Sequence, residues 1–356
     1  MHDLATDQPV TRGHRAAITQ CAVSPSGERA ATIDLDGRLV LWRLADASIE
    51  AAWQISPPGL HIFSPDDALV GFLDERRLIA GSGSGGVFEA TPGEAAVPRA
   101  ERILVTGARL DARGAHGIFV RRGGDAEVRT LGPGRDRTLW TLNRKVKGAG
   151  VARRVDISAD GRLVLVVASR ILVLDATRGT VRWQGPGQDA ALSADGQRVA
   201  VRAGDRVTVL AVASGQVLRT VEVGPGTQAI ALDASGDRLA FAGDRGLFLE
   251  AAGRAERVGP AAFARRVDWL AFSARDVLAH AFDAPYVHRV PVDGAVAAVA
   301  PAEVAPVEVA VAPAPADGTA PAEEPLVLDT GMPADEDAPA PTDGPVDVLA
   351  ELVAGR

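Results

Sequence analysis

The chain has 356 residues, of which 47% are hydrophobic and 24% charged, a composition typical of a globular protein with a large apolar core. Its net charge of −8 is unevenly spread: residues 301–356 carry a net −11, whereas residues 1–300 carry a net +3. So weak a basic excess, with aromatic residues at only 4%, argues against a nucleic-acid surface. Because Cys21 is the only cysteine, an internal disulfide is excluded, and we expect a buried structural thiol in a reducing compartment.

The sequence gives no sign of a leader or of a membrane span. Residues 1–8 lack the basic start and apolar stretch of a signal peptide. The longest apolar run, 163–174, is interrupted by Arg170 and is shorter than the ~18 residues needed to cross a bilayer. We therefore expect a cytoplasmic protein without membrane contact.

The stretch from Gly13 to Trp42 alternates short apolar runs with tight turns. Its order is Gly13-His14, an apolar run at 18–23, a turn at 24–27, a second run at 29–33, a turn at Asp36-Gly37, and a third run that ends at Trp42. Runs rich in β-branched residues and broken every few positions by Gly and Asp predict strands instead of helices.

Weaker copies of this unit follow along the chain at a spacing of about 40 residues. Aligned on the residue after the first strand, the clear copies fall at Ser24, Leu73, Ser158, Ser193, Asp233 and Ser273. The gap between the second and third of these holds a faint copy, with strands predicted at 102–106, 117–121 and 127–131. The sequence therefore predicts seven four-stranded units.

The first unit resembles the WD repeat, in which Gly-His opens the unit and a Trp closes its third strand. This resemblance implies an all-β, seven-bladed β-propeller over residues 1–300. The last blade would be completed either by residues 4–10 or by residues 295–300. In WD repeats the His, the turn Asp and the Trp form a buried network with a Ser or Thr. The resemblance thus assigns His14, Asp36 and Trp42 to a structural network, with Asp34 in place of the Ser or Thr.

Beyond residue 300 the repeat pattern stops. Residues 301–344 are rich in Pro, Ala, Glu and Asp and are predicted to form a disordered acidic linker. Residues 345–356 are predicted to form a short amphipathic helix or linear motif that binds a partner protein, because Val348, Leu349, Leu352 and Val353 share one helical face.

An internal repeat of five residues suggests a basic binding face. The sequence Ala-Arg-Arg-Val-Asp occurs at 152–156 and again at 264–268, and both copies precede the innermost strand of their blade. We predict that these arginines, with two more that enter the first blade, bind an acidic protein partner: Arg12, Arg15, Arg153, Arg154, Arg265 and Arg266. The acidic tail could fold back onto the same face and compete with that partner.

No motif indicates catalysis, a metal or a cofactor, because the six histidines lack metal-ligand spacing and no catalytic triad pattern is present. We therefore predict a non-catalytic protein-interaction scaffold: a monomeric propeller within a hetero-complex. One alternative is an enzyme or small-ligand binder that uses the central channel, for which groups such as His116, Asp156 and Asp268 would have to converge. Another is the propeller component of a bacterial ATPase or secretion-type complex.

Overall fold

The computed structural model describes residues 2–3, 8–9, 13–55, 68–82, 86–98, 105–112, 114–121, 123–131, 137–142, 150–258, 267–281, 284–285 and 287–292. Within these residues, seven sheets, six of them fully antiparallel, are arranged as blades around a central channel, which confirms the prediction of an all-β, seven-bladed propeller. The predicted linker at 301–344 and the predicted helix at 345–356 lie outside the described residues.

The strands follow one another blade by blade. Those of the N-terminal segment and of blades 1 to 3 are β1 His2–Asp3, β2 Gln8–Pro9, β3 Ile18–Val23, β4 Arg29–Asp34, β5 Arg38–Arg43, β6 Ser48–Gln54, β7 Ala68–Phe72, β8 Leu78–Ser82, β9 Val87–Ala90, β10 Val97–Pro98, β11 Val105–Leu110, β12 His116–Arg121, β13 Ala126–Thr130 and β14 Arg137–Leu142. Those of blades 4 to 7 are β15 Arg154–Ile157, β16 Leu163–Val167, β17 Ile171–Asp175, β18 Val181–Gly185, β19 Asp189–Leu192, β20 Arg198–Ala203, β21 Arg206–Ala211, β22 Val217–Glu222, β23 Thr227–Leu232, β24 Arg238–Gly243, β25 Gly246–Ala251, β26 Arg254–Val258, β27 Val267–Phe272, β28 Asp276–Ala281 and β29 Val287–Pro291.

In each blade the first strand lies innermost and the later strands follow outward in chain order. We call the end of the ring where the first strands begin the entry face, and the opposite end, where they end, the exit face. The turn between the second and third strands of a blade lies on the entry face, because consecutive strands are antiparallel.

A side-chain-capped turn ends the first strand in most blades. In blade 4 the hydroxyl of Ser158 accepts a hydrogen bond from the Leu163 N–H at 3.0 Å and donates one to Asp160 at 2.7 Å. Blade 5 repeats both bonds at Ser193, at 3.0 Å and 2.6 Å. The turn needs a residue with positive φ, which Gly161 and Gly196 supply at φ 70°. The spacing Ser-x-Asp-Gly therefore marks the end of the first strand in blades 4 and 5.

Backbone hydrogen bonds join the exit-face turns of neighbouring blades around the channel. They run from Ala112 N–H to the Ala159 carbonyl at 3.0 Å, from Ala159 N–H to Ala194 at 2.7 Å, from Asp195 N–H to Ala234 at 3.1 Å, and from Ala274 N–H to Gly27 at 3.1 Å. Because they link one turn to the next, these bonds fix the relative positions of the first strands that line the channel.

The apolar core is divided among the blade interfaces. Of the seven clusters of buried apolar side chains in the described residues, each lies between two adjacent blades. The cluster between blades 7 and 1, for example, packs Trp42 and Leu44 against Leu278 and Val287. Burial on both faces explains the nearly continuous apolar runs of strands such as β28, all of whose residues are buried.

The ring is closed by an N-terminal segment. Strand β1 pairs in parallel with β29, and β2 pairs with β1 on the outside, so β1 takes the position of a fourth strand in blade 7. The predicted closing segment at 4–10 therefore needs correction, because the pairing residues are His2–Asp3. Pro9 suits the outer strand, since it has no N–H to donate. The alternative at 295–300 lies outside the described residues.

The first strand of blade 3 differs from its prediction. It was expected at 102–106 and lies at Val105–Leu110. The apolar run at 103–105 is the stronger strand signal, but the turn after Leu110 sets where the strand ends: Asp111 Oδ1 accepts the Ala115 N–H at 2.8 Å, and Gly114 has φ 59°. Asp111 is thus the member of the repeat series that lies between Leu73 and Ser158.

Candidate functional sites: the central channel and the entry face

All seven blades line a cavity of about 330 Å³ in the channel. The penultimate residue of the first strand lines this cavity in every blade, and in five blades it is small: Ala22, Gly71, Ala191, Ala231 and Ala271. In blades 3 and 4 the same position holds Arg109 and Asp156. The channel is therefore narrowed by two opposite charges on adjacent blades and left open on the remaining five.

Arg109 reaches well into the channel. Its guanidinium donates one hydrogen bond, at 2.9 Å, to the carbonyl of Ala108, and its charge acts on Cys21 of blade 1, two blades away. Burial lowers the pKa of Arg109, and the charge of Asp156 opposes that shift. No direct ion pair joins Arg109 to Asp156 among the interactions of the described residues.

Asp156 is a carboxylate held by backbone donors. Its Oδ1 accepts the Ile157 N–H at 2.9 Å. Burial raises the pKa of Asp156, and the charges of Arg109 and Arg154 and the backbone N–H groups of Ile157 and Leu192 act against that rise. Desolvation therefore outweighs the nearby positive charges, as expected for a carboxylate largely withdrawn from bulk water.

Arg154, the first residue of β15, lines the channel cavity, and its predicted contact with a partner stays a prediction. Its guanidinium bonds both carboxylate oxygens of Asp189 at 3.1 Å and the carbonyl of Ile230 at 3.2 Å. These contacts tie blade 4 to blades 5 and 6. Arg154 is therefore engaged within the ring.

The two copies of Ala-Arg-Arg-Val-Asp do not occupy equivalent positions. Asp156 is the penultimate residue of β15, whereas Asp268 is the second residue of the six-residue strand β27. Asp268 is exposed and pairs with His280 at 2.8 Å. The repeated residues are thus offset by three positions in their blades, which removes the expected symmetry of the arginine pairs.

Of the arginines predicted to form the binding face, Arg15 and Arg153 are exposed at the entry face. Arg12, Arg265 and Arg266 lie outside the described residues, as do Val348, Leu349, Leu352 and Val353. A further exposed arginine, Arg170, lies in the turn between β16 and β17, on the entry face of the same blade as Arg153. Arg153 donates to the Ala168 carbonyl at 3.0 Å, within this same turn.

The exposed apolar residue Val151 lies beside these arginines. Its side chain is 53% exposed, and the N–H of the next residue, Ala152, bonds the carbonyl of Gly124 in blade 3 at 2.9 Å. Neither Arg153 nor Arg170 forms an ion pair with the described residues, and in blade 4 the described part of the entry face carries no exposed acid. We call Val151, Arg153 and Arg170 the blade 4 patch.

The expected network in blade 1 is present with two changes of residue. His14 contacts Thr32 Oγ1 at 2.6 Å through Nε2 and Asp34 at 2.9 Å through Nδ1, and Trp42 Nε1–H donates to the same Thr32 oxygen at 2.7 Å. The carboxylate is therefore Asp34 and not the predicted Asp36, whose backbone N–H donates to Asp34 at 3.0 Å. The hydroxyl is supplied by Thr32, so the network is complete two residues earlier than expected.

The buried position of His14 predicts a pH dependence of stability. Burial lowers the pKa of His14 from its ordinary value of 6.5, although the hydrogen bond and charge of Asp34 oppose the shift. Below pH 6.5 the unfolded chain therefore binds a proton that the folded chain does not. We expect the free energy of unfolding to fall by up to about 1.4 kcal/mol per pH unit as the pH drops through this value. Urea denaturation between pH 5.5 and 7.5 measures it, and the variant His14→Gln should lack this part of the slope; equal slopes would contradict the assignment.

The groups that an enzyme in the channel would need are dispersed. His116 pairs with Asp111 at 3.1 Å, Asp268 pairs with His280, and Asp156 lies in the channel. Within the described part of the chain, no group of three or more His, Cys, Asp or Glu side chains could hold a metal ion. Cys21 is buried, and burial raises the pKa of its thiol.

Sequence reasoning missed Arg109, Val151 and Arg170. A signal for Arg109 was available, because it lies two residues before the turn residue Asp111, as Asp156 lies two before Ser158. The misplaced strand of blade 3 hid this correspondence. The exposure of Val151 and Arg170 depends on how the turns of blades 3 and 4 pack, which a linear pattern does not contain.

No helix long and apolar enough to span a bilayer occurs in the portion of the chain that the structure describes.

Comparison with known proteins places the fold and leaves the partner open. No protein-family model matches the chain, and no curated protein matches it significantly. Solved structures do match, among them the crystal structure of the β-propeller domain of Cps50 (Swd1) from Myceliophteria thermophila. That match has a TM-score of 0.60 at 12% identity and covers 78% of this chain and 96% of that chain. At this identity the likeness shows a shared β-propeller fold.

Proposed function

We propose that this chain is a non-catalytic scaffold that binds an acidic protein partner at the entry face, centred on the blade 4 patch. The observation that carries this proposal is an exposed valine beside two exposed arginines that no acid neutralises within the described residues. In protein interfaces, buried apolar area commonly contributes to affinity. Unpaired charges increase the association rate and the selectivity for a partner of opposite charge. The propeller fold is also typical of interaction scaffolds.

The sequence next to the patch supports the same choice of partner. Residues 143–149, which connect blades 3 and 4 in the sequence, contain Arg144, Lys145 and Lys147. Lys145 and Lys147 are the only two lysines of the chain. On the entry face, exposed acids occur in other blades, at Asp205 and Asp244 in blades 5 and 6. Among the described entry-face turns of blades 4 to 6, the blade 4 turn thus carries exposed arginine without an exposed acid, which would attract an acidic surface.

The remaining expectations stay predictions: a propeller domain at 1–300, a monomeric propeller within a hetero-complex, a cytoplasmic and bacterial setting, and tail residues that bind a second partner. None of them is needed for the entry-face proposal.

Charge reversal at the patch tests the proposal. We expect Arg153→Glu with Arg170→Glu to reduce recovery of the bound partner at least about tenfold, because like charges would then face each other across the interface. Partner proteins are captured from extracts of the native host at low salt with the wild-type chain, quantified by mass spectrometry, and their affinities are then measured with purified components.

The matched control is Arg178→Glu with Arg275→Glu. Both residues are exposed arginines without ion pairs in the described structure, but they lie in turns of the exit face. Partner recovery should be unchanged in this control. Equal recovery by the two double variants would show that the blade 4 patch is not the binding surface.

A further inference from the structure

The central channel has the features of a ligand site that scaffolding does not explain. Two charged side chains, Arg109 and Asp156, line the cavity at a strand position where the other five blades have Ala or Gly. Removing a charged side chain from bulk water costs free energy unless the charge is paired. We therefore expect Arg109 and Asp156 to have a binding partner in the cavity. Asp156 accepts the Leu192 N–H and so contacts blade 5, but this bond uses only part of its accepting capacity, and Arg109 forms no hydrogen bond to another blade within the described residues.

Both groups retain unused hydrogen-bonding capacity. Arg109 has five N–H donors, and within the described residues one of them is used, towards the carbonyl of Ala108. Asp156 accepts backbone N–H groups from Ile157 and Leu192, which leaves further lone pairs on its two oxygens. The nearby Arg154 is neutralised by Asp189. The open charges of the cavity are therefore one cation and one anion, on adjacent blades.

This arrangement selects a particular class of ligand. A molecule that bridges Arg109 and Asp156 must present a negative group to one and a positive group to the other, a short distance apart. A cavity of about 330 Å³ is at the small end of the range for ligand sites. We propose that the channel binds a small zwitterion of the α-amino-acid class, whose carboxylate pairs with Arg109 and whose ammonium group pairs with Asp156.

The rest of the cavity would surround the ligand side chain. Trp269 of blade 7 lines it across the ring from blades 3 and 4, and Phe72 and Phe272 line it towards the exit face. The small residues at the level of the two charges leave the space that the ligand backbone would fill. The site would thus combine two polar anchors with apolar walls, as ligand pockets commonly do.

Thermal unfolding of the full chain with each of the twenty standard L-amino acids at about 10 mM tests the proposal. At least one should raise Tm by about 3–5 °C when its excess over Kd approaches a hundredfold. The N-acetyl derivative of that amino acid lacks the cation and its amide lacks the anion. Each should bind at least about tenfold more weakly by calorimetry.

Variants locate the site. Arg109→Met and Asp156→Asn should each weaken binding at least about tenfold. The controls Arg170→Met and Asp205→Asn remove the same kinds of charge from exposed positions on the entry face and should bind as the wild type does. A third variant, Ala271→Leu, leaves both charges in place and adds a larger side chain at a partly exposed position lining the cavity at their level, so it should block binding even if the charge variants fold poorly.

Three results would overturn the proposal: no amino acid stabilises or binds the wild-type chain, the folded charge variants bind normally, or Ala271→Leu keeps wild-type affinity. The outcome is separate from that of the entry-face proposal. Arg153→Glu with Arg170→Glu should leave amino-acid binding unchanged, and the channel variants should leave partner recovery unchanged.

Discussion

Replacing Gly27 with alanine is expected to lower the free energy of unfolding by about 3 kcal/mol or more. Gly27 has φ 72°, and a Cβ there would lie 2.4 Å from the backbone nitrogen of Ala274. That nitrogen donates to the Gly27 carbonyl and so joins the last blade to the first. The added methyl group would strain the backbone and also separate the two turns that close the ring. Equilibrium denaturation in urea measures the loss.

Gly204→Ala is the matched control for this prediction. Gly204 has φ 62°, also in the left-handed region, but a Cβ there would have no neighbour within 4 Å. Its replacement should therefore cost only the backbone strain, about 1 kcal/mol. If both variants lose the same stability, close packing at the junction of blades 7 and 1 contributes nothing measurable.

Thr32→Val should lower the free energy of unfolding by about 3 kcal/mol, with little change in side-chain volume. Because Asp34 accepts from Nδ1–H of His14, the Nε2 atom of that ring is the acceptor for the Thr32 hydroxyl, which itself accepts from Trp42. Valine would leave one buried donor and one buried acceptor unpaired, each costing about 1–3 kcal/mol. Denaturation near pH 7.5, where His14 is neutral, isolates this loss.

The control is Thr208→Val, in the middle of β21. The hydroxyl of Thr208 has no hydrogen-bond partner within the described structure, so its removal should change stability by less than about 0.5 kcal/mol. A similar loss in both variants would assign the effect to the loss of any strand hydroxyl, and a loss below about 1 kcal/mol for Thr32→Val would show that the network is not a major support.

The architecture was predictable because most blades contain a recognisable turn sequence at the end of the first strand. A serine hydroxyl caps the turn that follows the first strand at Ser158, Ser193 and Ser273. The repeat can therefore be recognised from residues that form local hydrogen bonds. The blade 3 turn uses Asp111 with a glycine three residues later, and its preceding strand contains Gly107 and Arg109. Because these residues are weak strand formers, the strand was predicted at the more apolar residues upstream and not at its actual position.

The candidate sites were less predictable because they depend on register and on distant neighbours. The identical pentapeptides suggested equivalent arginine pairs, but the longer strand β27 shifts the second copy by three positions. Arg153 and Arg154 are adjacent in sequence, yet Arg153, just before β15, is exposed, whereas Arg154, the first residue of β15, binds Asp189. The choice between Asp34 and Asp36 likewise depends on which carboxylate reaches the His14 ring.

The placement of the apolar clusters bears on how this chain matures during synthesis. Since every cluster is shared by two blades, a newly made blade has only half of its apolar lining covered until its successor emerges. The face of blade 1 that packs against blade 7, which includes Trp42, stays exposed to solvent until blade 7 is made and docks against it. The nascent protein therefore exposes an apolar face on its first blade and another on its most recent blade throughout translation. Only the docking of blade 7 against blade 1 buries both faces.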